Sequence, residues 1–295
     1  MQPHSSPGRR DLLRIAVALA AFISFDFVAA ITLSRLMSWG GVLGAAVAGL
    51  VAALFANWLA LRIYEHRGLA AVGLMVDRAA ASNLAAGIVG GLAAASVVLA
   101  PALLFGAAHF EPVADPPTAG TMPFVTLALA AGSAAEEILF RGYGLQILIA
   151  AVGPFAAIIP IGALFGLMHA GNPNSVWLGV VNTAGFGILF GYGFYRTRDL
   201  WLPIGLHFGW NFTLPLFGVN VSGLKMVVTG HQMVWTAGVW WSGGEYGPEA
   251  SVLTSVVLVL LFVAVAKAPL RRHASPLMDP PAETALCEPS PPSPS

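Results

Sequence analysis

The stretch Ala130-Ala-Gly-Ser-Ala-Ala-Glu136-Glu137-Ile-Leu-Phe-Arg141 places three ionisable residues inside a segment that is otherwise apolar. A charge at the centre of a bilayer costs at least about 2.5–3.5 kcal/mol, so such residues usually mark a polar site. Glu137 and Arg141 are four residues apart and share one face of a helix, whereas Glu136 is turned away from them. The stretch therefore predicts that one carboxylate, Glu137, has a structural role and that the other, Glu136, takes part in chemistry. The alternative is a solvated cluster at the cytoplasmic end of the helix.

The composition around this stretch is that of a membrane protein. Of 295 residues, 57% are apolar and only 9% are charged, against about 25% charged in soluble proteins. Lys plus Arg and Asp plus Glu both count 14, so no basic excess suggests a nucleic-acid partner. The only cysteine, Cys287, cannot form an intramolecular disulfide or a cysteine-based zinc site. Lipid is the first partner that the composition implies.

Runs of about 17 to 25 apolar residues predict an all-α, polytopic fold with about eight transmembrane helices. The predicted spans are 12–34, 41–62, 84–108, 122–141, 155–170, 176–195, 202–219 and 250–268. Residues 1–11 form a cytoplasmic N-terminus, and residues 12–268 form one helical membrane domain whose motif-bearing core is about 122–215. The Pro- and Ser-rich residues 269–295 are expected to be a disordered tail.

The distribution of basic residues predicts that both termini are cytoplasmic, because Lys and Arg favour that side. Alternate loops carry Arg9, Arg10, Arg14, Arg62, Arg67, Arg78, Arg196, Arg198, Lys267, Arg271 and Arg272. On the opposite side, the loop 220–249 has Lys225 as its only Lys or Arg residue and is rich in aromatic residues. Its Trp235, Trp240, Trp241 and Tyr246 predict a position at the outer membrane interface.

Two further spans carry polar residues at helical spacing. Phe165 and His169 share a face before a helix breaker, and His207 and Asn211 share a face at the start of the seventh span. A histidine near a helix end is often an ordinary interfacial residue, and a His–Asn pair often joins helices by hydrogen bonds. Three such sets in so apolar a chain favour a shared site instead.

The chemistry of these groups fits peptide hydrolysis. A carboxylate in a desolvated cavity gains basicity and can take a proton from water. His and Asn donors can stabilise the oxyanion that forms when this water attacks an amide. Alternatively, Glu136, His169 and His207 could hold a divalent metal such as zinc. The residues alone leave both mechanisms open.

The three sets resemble the motifs of a known family of membrane proteases. Glu136 to Arg141 resembles EExxxR, Phe165 to His169 resembles FxxxH, and His207 to Asn211 resembles HxxxN of the CPBP family. This family joins type II CAAX prenyl endopeptidases of the Ras-converting-enzyme type with bacteriocin-processing and abortive-infection proteins. All three motifs occur in order, each on a separate predicted span.

The resemblance implies an intramembrane endopeptidase, a hydrolase that cleaves a membrane-associated protein or peptide. It implies that Glu136 activates water, that His169 assists, and that His207 and Asn211 bind the oxyanion. Glu137, Arg141 and Phe165 would support them. Members have been called metalloproteases and a metal-free mechanism is also proposed, so the cofactor stays open.

The location and the competing functions follow from the same reading. The Ala- and Gly-rich composition favours a bacterial cytoplasmic membrane and a peptide or membrane-protein substrate. The alternatives are a non-catalytic immunity or scaffold protein of the same fold, and a proton-linked transporter. Complete motifs favour the protease over both.

Two features lie outside the motifs. Asp26 in the first span is expected to make a polar contact with Asn57. Glu136 and His169 each lie about 21 Å from the start of their straight spans, which would put them at different depths. Their contact therefore requires shifted boundaries or a broken backbone. The residues that permit a break are Gly142, Gly144, Gly153 and Pro154.

Overall fold

A computed structural model describes residues 9–279, which form an all-helical membrane protein with one small sheet. This confirms the predicted fold class. The longer helices are α1 (Arg9–Leu36), α2 (Gly41–Ala60), α3 (Arg78–Leu104), α4 (Thr121–Arg141), α5 (Tyr143–Val152), α6 (Pro154–Met168), α7 (Trp177–Thr197), α8 (Trp201–Leu216) and α10 (Val252–Lys267). The short elements are the strands β1 (Ala108–Pro112) and β2 (His231–Trp235) and the helix α9 (Val239–Ser242).

Six helical segments of the described chain are long and apolar enough to cross a membrane. One of them, Thr121–Val152, contains both α4 and α5. Helices α8 and α10 have 16 residues each, which is shorter than a typical span of about 20 residues. The predicted total of eight transmembrane helices therefore stays a prediction.

Asn57 of α2 supports the break between α4 and α5. Its amide donates to the carbonyl of Ile138 at 3.1 Å, and its Oδ1 accepts from the backbone N–H of Tyr143 at 2.7 Å. A Cβ on Gly142 would lie 2.2 Å from that oxygen, so the turn has room only for glycine. The expected contact between Asp26 and Asn57 is wrong, because the hydrogen bonds of Asn57 go to Ile138, Tyr143 and Ala53.

Helices α3 and α8 meet through two pairs of glycines spaced four residues apart. A Cβ on Gly91 of α3 would lie 2.3 Å from the carbonyl oxygen of Leu206, and one on Gly209 of α8 would lie 2.4 Å from that of Ile88. Gly87 and Gly205 are equally tight. Such pairs let helix backbones approach closely. Because two residues turn a helix by about 200°, Gly205 packs on α3 while His207 points to the opposite side.

Replacing Gly91 with Ala is expected to destabilise the protein by about 1–3 kcal/mol, because the methyl group forces two backbones apart. Gly49→Ala is the matched control: its Cβ would meet only Ala135 Cβ at 3.6 Å, an ordinary contact. Reversible unfolding in mixed detergent micelles measures both. Equal stability of the two variants would contradict tight packing of α3 on α8.

Residues 269–279 are packed against the helices, unlike the disordered tail expected from residue 269. The backbone of Arg271 exchanges hydrogen bonds with the Asn83 side chain at 2.7 and 3.1 Å. His273 lies 3.0 Å from Asp199 and 3.2 Å from Asp77. Composition alone misses these partners because they come from distant parts of the chain. Residues 280–295 of the expected tail, and residues 1–8, lie outside the described residues.

The connections after α3 and after α8 form the sheet. Residues 220–249, with their tryptophans, are called the aromatic loop below. Strands β1 and β2 pair antiparallel, with Ala108 opposite Trp235. Trp240 and Trp241 are 66% and 52% exposed, as interfacial residues are, but Tyr246 is 1% exposed. Its ring packs on Gly179 of α7, where a Cβ would lie 2.8 Å from the ring. Tyr246 is therefore a core residue rather than an interfacial one.

Candidate active site

The predicted pair of Glu137 and Arg141 is present and completely buried. Arg141 Nη1 lies 3.2 Å from the Glu137 carboxylate, and its Nη2 donates to the carbonyl of Gly187 at 2.8 Å. The guanidinium also lies 4.7 Å from the centre of the Phe165 ring. Glu137 in turn accepts a hydrogen bond from His207 Nδ1 at 2.8 Å. The Glu137 carboxylate thus links α4 to α8, and Arg141 links α4 to α7.

Glu136, the residue before Glu137 in α4, faces both histidines. Its Oε2 is 3.8 Å from His169 Nε2 and 4.0 Å from His207 Nε2. This oxygen is buried and has no hydrogen-bond partner among the described protein atoms. The structure therefore joins all three motifs around one carboxylate, despite the different depths expected for straight helices. The helix ends at Gly142 and Gly153 supply the required break.

The hydrogen bonds of the histidines determine which nitrogen faces Glu136. His169 Nδ1 lies 2.8 Å from the carbonyl oxygen of Phe165, which can only accept a hydrogen bond. The proton of a neutral His169 therefore sits on Nδ1, and its Nε2 is free to accept. His207 is oriented in the same way by Glu137. Both Nε2 atoms point towards Glu136, so a small polar molecule at this place can contact all three side chains.

Aromatic rings hold the two histidines in place. Phe190 stacks on His207 with ring centres 5.1 Å apart, and Phe165 lies edge-on to the same ring at 6.0 Å. Phe165 also contacts the His169 ring at 4.7 Å. Phe165 was predicted to support the site, and the structure places it between both histidines and Arg141. Phe190 was not predicted, because an apolar residue in an apolar span carries no distinctive signal.

The predicted residues line a cavity of about 440 Å³, within the usual size range of ligand sites. Glu136, His169, His207 and Asn211 all contribute to its wall. The rest of the wall is largely apolar and includes Leu129, Phe186 and Trp210.

Residues from the aromatic loop close the same cavity, which sequence reasoning missed. Ser222 and Glu249 line it together with Glu136. Glu249 is only 5% exposed although it is a carboxylate. Glu249 stands two residues before Ser251, which caps α10 by accepting from the N–H of Thr254. No local pattern in the sequence signals that its side chain is buried.

The alternative metal site does not fit this arrangement. Among the described side chains of residues 12–279, no group of three or more His, Cys, Asp or Glu is arranged to hold a metal ion. Glu136 Oε2 is 3.8 and 4.0 Å from the two Nε2 atoms, whereas ligands about 2.1 Å from a tetrahedral zinc would lie about 3.4 Å apart. The metalloprotease interpretation is therefore not supported by the donor geometry.

Comparison with known families supports the motif-based interpretation. Residues 118–213 match the family described as type II CAAX prenyl endopeptidase Rce1-like. The match contains α4 to α7, most of α8 and all three motifs. No curated protein matches the chain.

The structure is that of a polytopic helical membrane protein, and its motif-bearing segment is similar to type II CAAX prenyl endopeptidases. The match covers about a third of the chain, and it supports the resemblance that the motifs indicated. The match supports a protease and does not favour the scaffold alternative. Helices α1 to α3 and α10 lie outside the matched residues.

Proposed function

We propose that this protein is an intramembrane endopeptidase in which Glu136 activates water to hydrolyse a peptide bond. The observation that carries the proposal is the position of Glu136 Oε2 between His169 and His207 at the wall of the cavity. A carboxylate oxygen without a protein partner is available to accept a hydrogen bond, and then a proton, from a water molecule. A scaffold has no need of such a group.

A water molecule between Glu136 and His169 can donate one hydrogen bond to each. Both Glu136 Oε2 and His169 Nε2 are acceptors, and the 3.8 Å between them is close enough for one water to reach both. This orients a lone pair of the water towards the cavity. As the water attacks the peptide carbonyl, Glu136 takes its proton and His169 holds its orientation.

His207 and Asn211 are proposed to bind the oxyanion that this attack produces. Both side chains line the cavity. Protonated on both nitrogens, His207 donates through Nδ1 to Glu137 and through Nε2 into the cavity. Glu137 holds Nδ1 of His207, and Arg141 holds Glu137 in place. Donors fixed in a cavity with little water stabilise a developing negative charge well.

The proposed substrate is a membrane-associated protein or peptide. The cavity is lined mainly by apolar side chains, and the helices around it expose large apolar residues to lipid. A segment that arrives from the bilayer keeps its apolar contacts on entry. We place the protein in a bacterial cytoplasmic membrane, which its composition favours.

Contacts among the terminal segments support the proposed cytoplasmic location of both termini. Arg14 at the start of α1 donates to the carbonyl of Tyr64 just beyond α2. His273 of the C-terminal segment reaches Asp77 before α3 and Asp199 before α8. The connections rich in Lys and Arg thus meet at one end of the bundle, as the distribution of basic residues predicts.

Comparing the membranes of cells that carry the native chain or the Glu136→Gln variant tests the proposed function. The variant keeps the size of the side chain and removes the base. We expect peptide termini that occur only with the native chain, and these termini would name the substrate. Identical termini in both samples, together with a phenotype that survives the substitution, would favour a scaffold instead.

A further inference from the structure

Glu249 is a second carboxylate in the cavity, and nothing in the matched family segment accounts for it. It lies in the connection before α10, 36 residues beyond the end of the match at 213. Its side chain is 5% exposed and lines the cavity with Glu136, His169 and His207. A buried carboxylate costs free energy unless it is hydrogen-bonded, paired with a positive charge or protonated.

The backbone around Glu249 is fixed to α7. Asn182 Nδ2 donates to the carbonyl oxygens of Glu249 at 2.7 Å and Ser251 at 3.0 Å. Asn182 Oδ1 accepts from Ser255 of α10 at 2.7 Å. The polar side chain of Asn182 in the sixth predicted span thus holds the loop against the bundle. The hydrogen bonds from Asn182 fix the backbone of Glu249, so that its side chain stays in the cavity wall.

The hydrogen bonds of Glu249 leave one of its oxygens free for a ligand. Oε2 accepts from both the backbone N–H and the hydroxyl of Ser222, the latter at 2.9 Å. Among the described side chains of residues 12–279, no Lys or Arg forms an ion pair with Glu249. If the carboxyl is protonated, the proton belongs on Oε1, because Oε2 already accepts two hydrogen bonds.

The environment favours this protonated form. Burial raises the pKa of Glu249, and the hydrogen bonds from Ser222 and the charges of His169 and His207 offset only part of the increase. Below its raised pKa the group is a neutral acid whose O–H donates a hydrogen bond. The histidines that act on Glu249 are the same ones that flank Glu136, so the two carboxyl groups share one electrostatic environment.

Peptide hydrolysis needs a proton donor in addition to a base. When the tetrahedral intermediate collapses, the C–N bond breaks, and the leaving nitrogen must gain a proton because an amide anion is too basic to depart. Glu136 takes a proton from water in the first step. A second acid at the leaving group removes the need for that proton to travel across the intermediate.

We propose that Glu249 is a catalytic acid that protonates the leaving amine of the substrate from Oε1. This inference rests on the proposed function. The N–H bond forms as the O–H bond of Glu249 breaks and the C–N bond is lost. Glu249 is left as a carboxylate. After the product leaves, the proton that Glu136 took from water is transferred to Glu249, which restores both groups. The net reaction is amide plus water to carboxylic acid plus amine.

The test compares Glu249→Gln with Glu245→Gln on two forms of one substrate peptide. The peptide spans the cleavage site identified by the membrane comparison and carries either the natural amide or a thioester at the scissile bond. The Glu249→Gln side chain keeps an acceptor for Ser222 but has no acidic proton. Glu245 is in the same loop and is exposed, so it is the matched control.

Glu249→Gln is expected to lower kcat on the amide by about 100-fold or more, the usual contribution of a general acid. It should change kcat on the thioester by less than about threefold, because a thiol with a pKa of about 8.5 leaves as a thiolate without a proton. Glu245→Gln should leave both rates unchanged. Equal losses of Glu249→Gln on both substrates, or no loss on the amide, would overturn the proposal.

A second variant keeps the test decisive if Glu249→Gln disturbs folding. Glu249→Asp retains an acidic proton on a shorter side chain, and it should retain part of the amide activity and all of the thioester activity. Loss of both would indicate a structural role. An inactive Glu136→Gln beside a fully active Glu249→Gln would overturn this inference alone, whereas an active Glu136→Gln would overturn the proposed function itself.

Discussion

Replacing Glu136 with Gln is expected to lower the rate of peptide hydrolysis by about 100- to 10,000-fold, the range of general-base catalysis. Gln has nearly the same size, and its amide can still contact His169 and His207, so the cavity should keep its shape. It cannot take a proton from water at any pH near neutrality. The loss should therefore be seen in kcat, with little change in KM.

Purified protein and a peptide that spans the identified cleavage site provide the measurement. Glu111→Gln is the control, since Glu111 lies in β1 with an exposed side chain paired to His109. Both variants should elute from a sizing column like the native protein, which shows that insertion and folding are intact. A Glu136→Gln variant that retains native kcat would show that another group activates the water.

Sequence reasoning predicts the polar pairs within single helices well, because four-residue spacing fixes them locally. Glu137 and Arg141 pair as expected, and His169 lies on the same helical face as Phe165, whose ring it contacts. The apolar spans that separate the motifs also predict that they lie on different helices. These features depend only on residues close together in the chain.

The depth of Glu136 and His169 along the helix bundle could not be predicted from local spacing. A straight helix at about 1.5 Å per residue would keep Glu136 and His169 apart, yet Oε2 and Nε2 lie 3.8 Å from one another. The break that permits this contact depends on Asn57, which is 86 residues before Tyr143. No local pattern reveals that Asn57 donates to and accepts from the ends of two other helices.

The glycines of α3 and α8 and the carboxyl of Glu249 were missed for a related reason. Gly87, Gly91, Gly205 and Gly209 indicate close packing, but neither span identifies the partner helix. The sequence places Glu249 at the end of an interfacial loop. Only Ser222 and Asn182, which are distant in the chain, show that it is buried in the cavity.

Replacing Arg141 with Ala is expected to destabilise the protein by about 3–5 kcal/mol, the usual effect of removing one partner of a buried ion pair. The side chains of Arg141 and Glu137 are both 0% exposed. Without the guanidinium, Glu137 remains as a buried carboxylate whose only other side-chain partner among the described residues is His207. The carbonyl of Gly187 also loses the hydrogen bond from Arg141 Nη2. Arg141→Lys should restore only part of the stability, because an ammonium cannot contact Glu137 and Gly187 with the geometry of a planar fork.

Reversible unfolding in mixed detergent micelles measures these free energies, with the double variant Glu137→Gln and Arg141→Met as the decisive comparison. The double variant removes both charges and keeps apolar volume beside Phe165, so it should be more stable than Arg141→Ala. It should nevertheless cleave substrate slowly, since a neutral amide in place of the Glu137 carboxylate cannot support a protonated His207. If Arg141→Ala alone is as stable as the native protein, the buried carboxylate has gained a proton or water, and the role of Arg141 is to orient Glu137 for catalysis rather than to hold the fold.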